Sequence, residues 1–184
     1  MAVIVSDTGG APRELAPDGL QPAVCCGVFD LGMQKGFEDV MQHKVCLAFE
    51  IAETLKEGEY AGKRMVLSER FTASLNEKSN LYKFLIGWRG RDFTPEERKA
   101  FDLEVLYGKP AMLNIIHKDR PGKATIAVIA GAMRLPKDIE SMVPENARDW
   151  KPKWIAEAQK AGGIGLAITD GAVEEPPFAD DIPF

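Results

Sequence analysis

Histidine and cysteine are scarce in this 184-residue chain, at two and three residues respectively. His43 and His117 stand far apart, and neither has a His-Cys or His-Glu spacing suited to zinc. Cys25, Cys26 and Cys46 are odd in number and fall in apolar stretches, which fits reduced, buried thiols rather than a disulfide framework. No apolar run approaches the roughly 20 residues of a membrane span. The longest, Thr125 to Met133, is cut by Gly131 and has the length of a strand. The opening residues Met1-Ala2-Val3-Ile4-Val5-Ser6-Asp7 lack a basic stretch followed by a long apolar one, so no secretory signal is expected. Phosphate-binding Gly-rich loops ending in Lys-Ser/Thr and Gly-x-Ser-x-Gly elbows are missing too. These absences point to a cytoplasmic protein that is not an enzyme and has no cofactor and no metal.

With 45% hydrophobic and 28% charged residues, the chain can bury one ordinary domain and still carry peripheral segments. Its net charge of -5 is unevenly spread. Residues 170–184 hold Asp170, Glu174, Glu175, Asp180 and Asp181 and no Lys or Arg, whereas residues 20–137 hold 18 Lys and Arg against 15 Asp and Glu. A mildly basic body with an acidic end is the asymmetry that the overall charge hides.

Four regions follow from the pattern. Residues 1–19, with Gly9-Gly10, Pro12 and Pro17, read as a flexible N-terminal arm. Residues 20–137 read as a domain of five strands. The first is Ala23 to Leu31, followed by a loop over Met33 to Phe37. The second, Lys44 to Ile51, alternates Val45, Leu47, Phe49 and Ile51 against a wetter face of Lys44, Cys46, Ala48 and Glu50. The third is Arg64 to Thr72. Ser79 then caps a helix carrying Leu81, Phe84, Leu85 and Trp88, and Thr94-Pro95-Glu96-Glu97 starts a second. Strands from Ala111 to His117 and from Ala124 to Ala132 close the domain, joined by a turn over Lys118 to Lys123. Residues 138–160 contain a peripheral helix over Arg148 to Lys160. Residues 161–184 read as a Gly-rich linker and an acidic, disordered tail. The order is that of a β-rich OB-fold barrel, five strands with a helical insertion between the third and fourth, and other small β-barrels stay open because periodicity alone does not establish closure.

The end of the chain, Glu175-Pro176-Pro177-Phe178-Ala179-Asp180-Asp181-Ile182-Pro183-Phe184, resembles the C-terminal tip of bacterial single-stranded DNA-binding proteins. The body, through Phe71 to Leu81, Trp88-Arg89-Gly90-Arg91 and Gly108-Lys109-Pro110, is similar to a group of bacteriophage proteins taken as OB-fold single-stranded DNA-binding proteins. The tail resemblance implies a hook that recruits replication, recombination and repair enzymes. Its chemistry is coherent: a ring and a carboxylate on Phe184, apolar area on Ile182, a stiffening Pro183, and Asp180 and Asp181 steering towards basic surfaces. The same tail can compete with phosphate for a basic groove. The plain alternative is a solubilising acidic tail, against which the apolar ending argues.

Sequence-tolerant binding of a single strand needs cations for phosphates and aromatic faces for bases. In an OB-fold these belong on strands two and three and on the loops between strands one and two and four and five. The expected DNA-binding residues are therefore Lys35 and Phe37 in the first loop, Lys44, Arg64 and Arg70 on the hairpin, and Lys118, Arg120 and Lys123 in the last loop. Trp88, Arg89, Arg91 and Phe93 join them as the densest basic-aromatic cluster. Structural alternatives stand beside several. Trp88 shares the apolar stripe of Leu81 and Leu85, Arg89 and Arg91 can pair with Asp92, Glu96 or Glu97, and Phe37 can pack within its loop.

The expected function is sequence-independent binding and protection of single-stranded DNA in replication or recombination, within the host cytoplasm if phage-encoded. Two rivals stay open. One is an OB-like adaptor that recruits enzymes but binds DNA weakly, which the modest body charge favours. The other is a single-strand annealing factor, for which a homo-oligomer would be needed and no seam is legible. A Mg²⁺-dependent nuclease would have to use Asp30, Glu50 and Glu69, carboxylates that read more simply as surface charge.

Overall fold

A computed structural model describes residues 14–163, except for the side chain of Phe37. The acidic tail, with Asp180, Asp181, Ile182, Pro183 and Phe184, therefore lies outside the described residues, as do positions 1–13. Five antiparallel strands form one sheet in the order β3-β2-β1-β4-β5. They are β1 (Gly19–Lys35), β2 (Met41–Thr54), β3 (Arg64–Thr72), β4 (Pro110–Arg120) and β5 (Lys123–Met133). The third strand has the bounds its alternation predicts. The others run beyond their expected ends, and the turn between β4 and β5 shrinks to Pro121-Gly122 because Arg120 and Lys123 pair.

The first strand reaches both its neighbours by bending. It pairs with β2 over most of its length and with β4 at its N-terminal end, and its register against β2 shifts at Cys25/Gly27 and at Asp30/Gly32. Such bulges raise the local twist of a strand. Gly32 sits at the second shift with φ 66°, a left-handed conformation in which a Cβ is strained. At Gly27 a Cβ would stand 2.5 Å from the Phe29 ring, so the first shift needs glycine for space instead.

One face of the sheet holds the main core. Leu47, Phe49 and Ile51 from β2, Met65, Leu67 and Phe71 from β3, and Leu113 and Ile115 from β4 share it with Ile129 from β5. Helix α1 (Asn80–Arg89) packs on this face and touches both β3 and β5. Ser79 caps it by accepting from the Tyr82 amide at 3.1 Å. Trp88 of α1 is fully buried, 5.1 Å from Phe49 between ring centroids, and donates through Nε1 to the Pro110 carbonyl at 2.8 Å. The edge strands β3 and β5 also approach each other within 8 Å between Cα atoms. Among the described residues no hydrogen-bonded ladder joins them, so the sheet curls without closing. After α1, the short helix α2 (Pro95–Lys99) begins with the expected threonine, in a capping box between Thr94 and Glu97.

The opposite face departs from expectation. Cys46, Ala48 and Glu50 belong to a face of β2 that its alternation marks as the wetter one, yet their exposures are 0%, 1% and 0%. A second layer covers them. Helix α3 (Lys153–Ala161) seats Ile155, with Trp154 and Ala158 and with Trp150 from the segment before it, on Cys26, Phe29, Leu31, Cys46 and Ala48. The helix starts five residues later than Arg148 because Pro152 occupies its N-cap. Hydrogen bonds pin its far end, from Gln159 Nε2 to the Asp30 carbonyl at 2.7 Å and from the Met33 amide to the Gly162 carbonyl at 3.2 Å. Residues 14–18, expected in a flexible arm, are also attached. Ala16 is buried in the core, and the Glu14 carboxylate accepts from the Lys56 and Glu57 amides at 2.8 and 2.7 Å. Among the described residues no helix is long and apolar enough to cross a membrane.

Candidate nucleic-acid interface

The outer face of β2 and β3 is divided lengthwise. Its β2 half lies under the C-terminal segment, and Glu50 is the anchor. This fully buried carboxylate accepts from the amides of Glu145 and Asn146 and from Asn146 Nδ2, each at 2.8 Å. Arg64 completes the attachment, donating to the Val143 carbonyl at 2.8 Å and pairing with Glu145 at 3.1 Å and Glu50 at 3.5 Å. Its expected role at the DNA surface is therefore corrected. Arg64 secures residues 143–145 against the sheet, and its charge is met by two carboxylates.

The β3 half stays open. Val66, Ser68 and Arg70, at alternate positions, are exposed, and Thr72 is half-buried beyond them. No carboxylate occupies this face of the strand. Lys44, opposite Thr72 in the register, donates to Thr72 Oγ1 and Gln42 Oε1 at 2.7 Å, both neutral acceptors. Arg70 places its guanidinium carbon 4.6 Å from the centre of the Trp154 ring. On the far side of β3, Lys118 lies near enough to Glu69 to act on it. Burial raises the Glu69 carboxyl above its ordinary range, and the Lys118 charge works against that rise. At the edge of β3, β5 comes within 8 Å between Cα atoms, and α3 reaches the open face through Trp154. Lys118 and Lys123 are exposed on the β4–β5 hairpin, while Arg120 folds back to donate to the Ala124 carbonyl at 3.0 Å. Lys35 ends β1 rather than starting a loop and pairs with Asp39 at 3.5 Å on the surface. Phe37 begins a short 3-10 turn (Phe37–Asp39), and its side chain lies outside the described set.

The Trp88-Arg89-Gly90-Arg91-Asp92-Phe93 cluster does not face solvent as an interface. Trp88, Arg89 and Phe93 are 0%, 1% and 5% exposed. Arg89 donates to Glu97 at 2.6 Å, and Arg91 reaches the same carboxylate at 2.9 Å. The Arg89 guanidinium carbon lies 4.3 Å from the centre of the Phe93 ring and 5.1 Å from that of Phe101. Burial alone would push the Glu97 carboxyl up, but hydrogen bonds from Arg91, Arg89 and the Thr94 amide outweigh it and hold the group at about 2. These residues fasten α2 to α1, so their placement at a DNA surface is corrected for Trp88, Arg89 and Phe93. Arg91 is half-buried and engaged with Glu97.

Asp30, Glu50 and Glu69 do not converge. Asp30 meets His43 Nε2 at 2.7 Å, Glu50 holds the C-terminal segment, and Glu69 has the opposite strand parity. Among the described residues no group of three His, Cys, Asp or Glu side chains could hold a metal ion. The sequence reading missed Trp154, the aromatic that meets Arg70. Its signal was the spacing of Trp150, Trp154, Ile155 and Ala158, which marks one apolar stripe of a helix.

The class defined at this point is a curled five-stranded antiparallel sheet with one helix-capped face and one face half covered by its own C-terminal segment. No family model and no curated protein matches the chain.

Proposed function

We propose that the chain binds single-stranded DNA without regard to sequence, on an OB-type barrel of the phage kind that the resemblance implies. Joining β3 to β5 turns the strand order into a ring of β1-β2-β3-β5-β4, and α1, which lies between the third and fourth strands in sequence, packs against β3 and β5 at that seam. OB-folds are partly open barrels whose second and third strands, with two flanking loops, take up oligonucleotides. The observation that carries the reading is the open strip of β3. It is free of carboxylates, carries Arg70 with Lys44 of β2 beside its end, and has at its edge β5, whose hairpin with β4 holds Lys118, Arg120 and Lys123. Phosphates would meet these cations, and the segment Asp180 to Phe184 would recruit replication or recombination enzymes.

The test is anisotropy of labelled oligo-dT and a matched duplex with the full chain at two salt concentrations. Tight, salt-sensitive preference for the single strand is expected, and equal or absent binding would remove the reading. Neutralising Lys118, Arg120 and Lys123 together to Gln should reduce the slope of log K against log salt by about 2, since each phosphate contact on a single strand contributes about 0.7. An unchanged slope would take the phosphates away from this hairpin.

The adaptor reading keeps one observation in its favour. Arg64, Arg89, Arg91 and Lys35, four of the cations expected at the DNA surface, are all engaged by the protein's own carboxylates. Oligo-dT binding too weak to saturate, with enzyme capture by residues 175–184, would favour it.

A further inference from the structure

We infer that Trp154 and Arg70 form a base-stacking site, half supplied by the C-terminal helix and half by β3. The inference rests on the single-strand reading above and gives it a particular aromatic. Trp154 packs on the Cys46 and Ala48 layer, which fixes the indole. Arg70 lies over that ring at 4.6 Å and is itself exposed. An indole that orders a solvent-facing guanidinium makes a stepped platform, because bases stack on aromatic rings and on arginine planes alike. The phosphate side is supplied next to it. Lys44 and Thr72 form the next cross-strand pair after Cys46 and Arg70 on this face, and Lys153 precedes Trp154 at the start of α3.

The other aromatics are placed differently. Trp88 has no exposed surface, and Trp150 meets Phe29 at 6.2 Å between centroids. Trp154 is thus the tryptophan that α3 brings to the open strip, and covering the β2 half of the face is how it gets there. A structural account of the same pair is that Arg70 helps to clamp α3 onto β3. That account predicts effects independent of the bases.

The experiment compares oligo-dT with an abasic strand of equal length, binding to the full chain and to Trp154→Leu, Trp154→Phe and Arg70→Lys. Stacking on one aromatic corresponds to about a 5- to 150-fold effect. Trp154→Leu is expected to weaken oligo-dT by that factor and to leave the abasic strand unchanged. Trp154→Phe should recover most of the affinity, and the wild-type tryptophan emission should fall on binding oligo-dT. Arg70→Lys, which keeps the charge at an exposed position, should weaken oligo-dT more than the abasic strand, and it serves if Trp154→Leu fails to fold. Equal losses on both strands, or no loss on either, would overturn the stacking site while the single-strand reading stands. Failure of the wild-type chain to bind oligo-dT would overturn both.

Discussion

Replacing Glu97 with alanine is expected to destabilise the fold by about 3–5 kcal/mol, the range for stripping the partner from a buried charge. Arg89 is 1% exposed, and its Nη2 meets Glu97 at 2.6 Å. Its Nε and Nη1 are buried and have no hydrogen-bond partner among the described residues. The Phe93 and Phe101 rings face the guanidinium, and ring quadrupoles compensate a cation only partly. With Glu97 gone, Arg89 keeps its charge and loses its counter-ion. The Thr94 capping box disappears with it, because the Glu97 carboxylate also accepts from the Thr94 amide at 2.9 Å. Urea unfolding of the full chain measures the loss, and a change below about 1 kcal/mol would remove the pair from the list of stabilising contacts. The double variant Arg89→Met with Glu97→Leu should recover much of it, since a packed apolar pair avoids both desolvation costs.

The same residue sets a pH dependence. Its carboxyl is held at about 2, below the ordinary 4.5, so the unfolded chain binds the proton more readily than the folded one. The contribution to stability is full above pH 4.5 and is lost as the pH falls through that value towards about 2. Glu97→Ala should flatten the stability curve across this interval.

How far the sequence foretold this arrangement depends on the range of the contacts involved. Strand β3, the Ser79 cap and the capping Thr94 were legible because each is decided within a few residues. The alternation of β2 correctly separated Val45, Leu47, Phe49 and Ile51 from Cys46, Ala48 and Glu50. It did not show that both sets are buried, because the second layer comes from about a hundred residues further along the chain, at Asn146 and Ile155. Small and charged residues on that face suggested water. Cys46 and Ala48 are small because a helix lies on them, and Glu50 is charged because it gathers three N–H donors from residues 145–146. The cluster from Trp88 to Phe93 failed differently. Arginine beside aromatic rings suits a nucleic-acid surface, and it suits a buried cation–π core equally well. Composition does not separate the two. Glu97 was legible as one of three possible partners for Arg89 and Arg91, and it also closes the capping box with Thr94.

Ile155→Asp is expected to lift α3 from the sheet without unfolding the main core. Ile155 has no exposed surface, and truncating such a residue even to alanine costs about 2–5 kcal/mol, to which a buried carboxylate adds more. The loss falls on one layer because the two clusters are separate. Ile155 packs with Cys26 and Cys46, whereas Cys25 belongs to the core on the other face. The thiols report which layer opens. Burial pushes Cys46 up to about 12 and Cys26 higher still, so neither provides thiolate in the native chain. Burial also pushes Cys25 up to about 12, beneath a core that α3 does not touch. A disulfide reagent at pH 8 should therefore label none of the three thiols in the wild-type chain and all three in denaturant. In Ile155→Asp it should label Cys26 and Cys46 and spare Cys25, as peptide mapping will show. Labelling of all three together would mean that α3 and the sheet open as one cooperative unit, and labelling of none would mean that the layer holds without Ile155. The selective pattern has a functional corollary. Undocking α3 withdraws Trp154 from Arg70 and uncovers Cys46 and Ala48, while residues 143–146 keep their own attachment to Glu50 and Arg64. DNA affinity should fall in this variant, although α3 covers half of the face on which the DNA is proposed to lie.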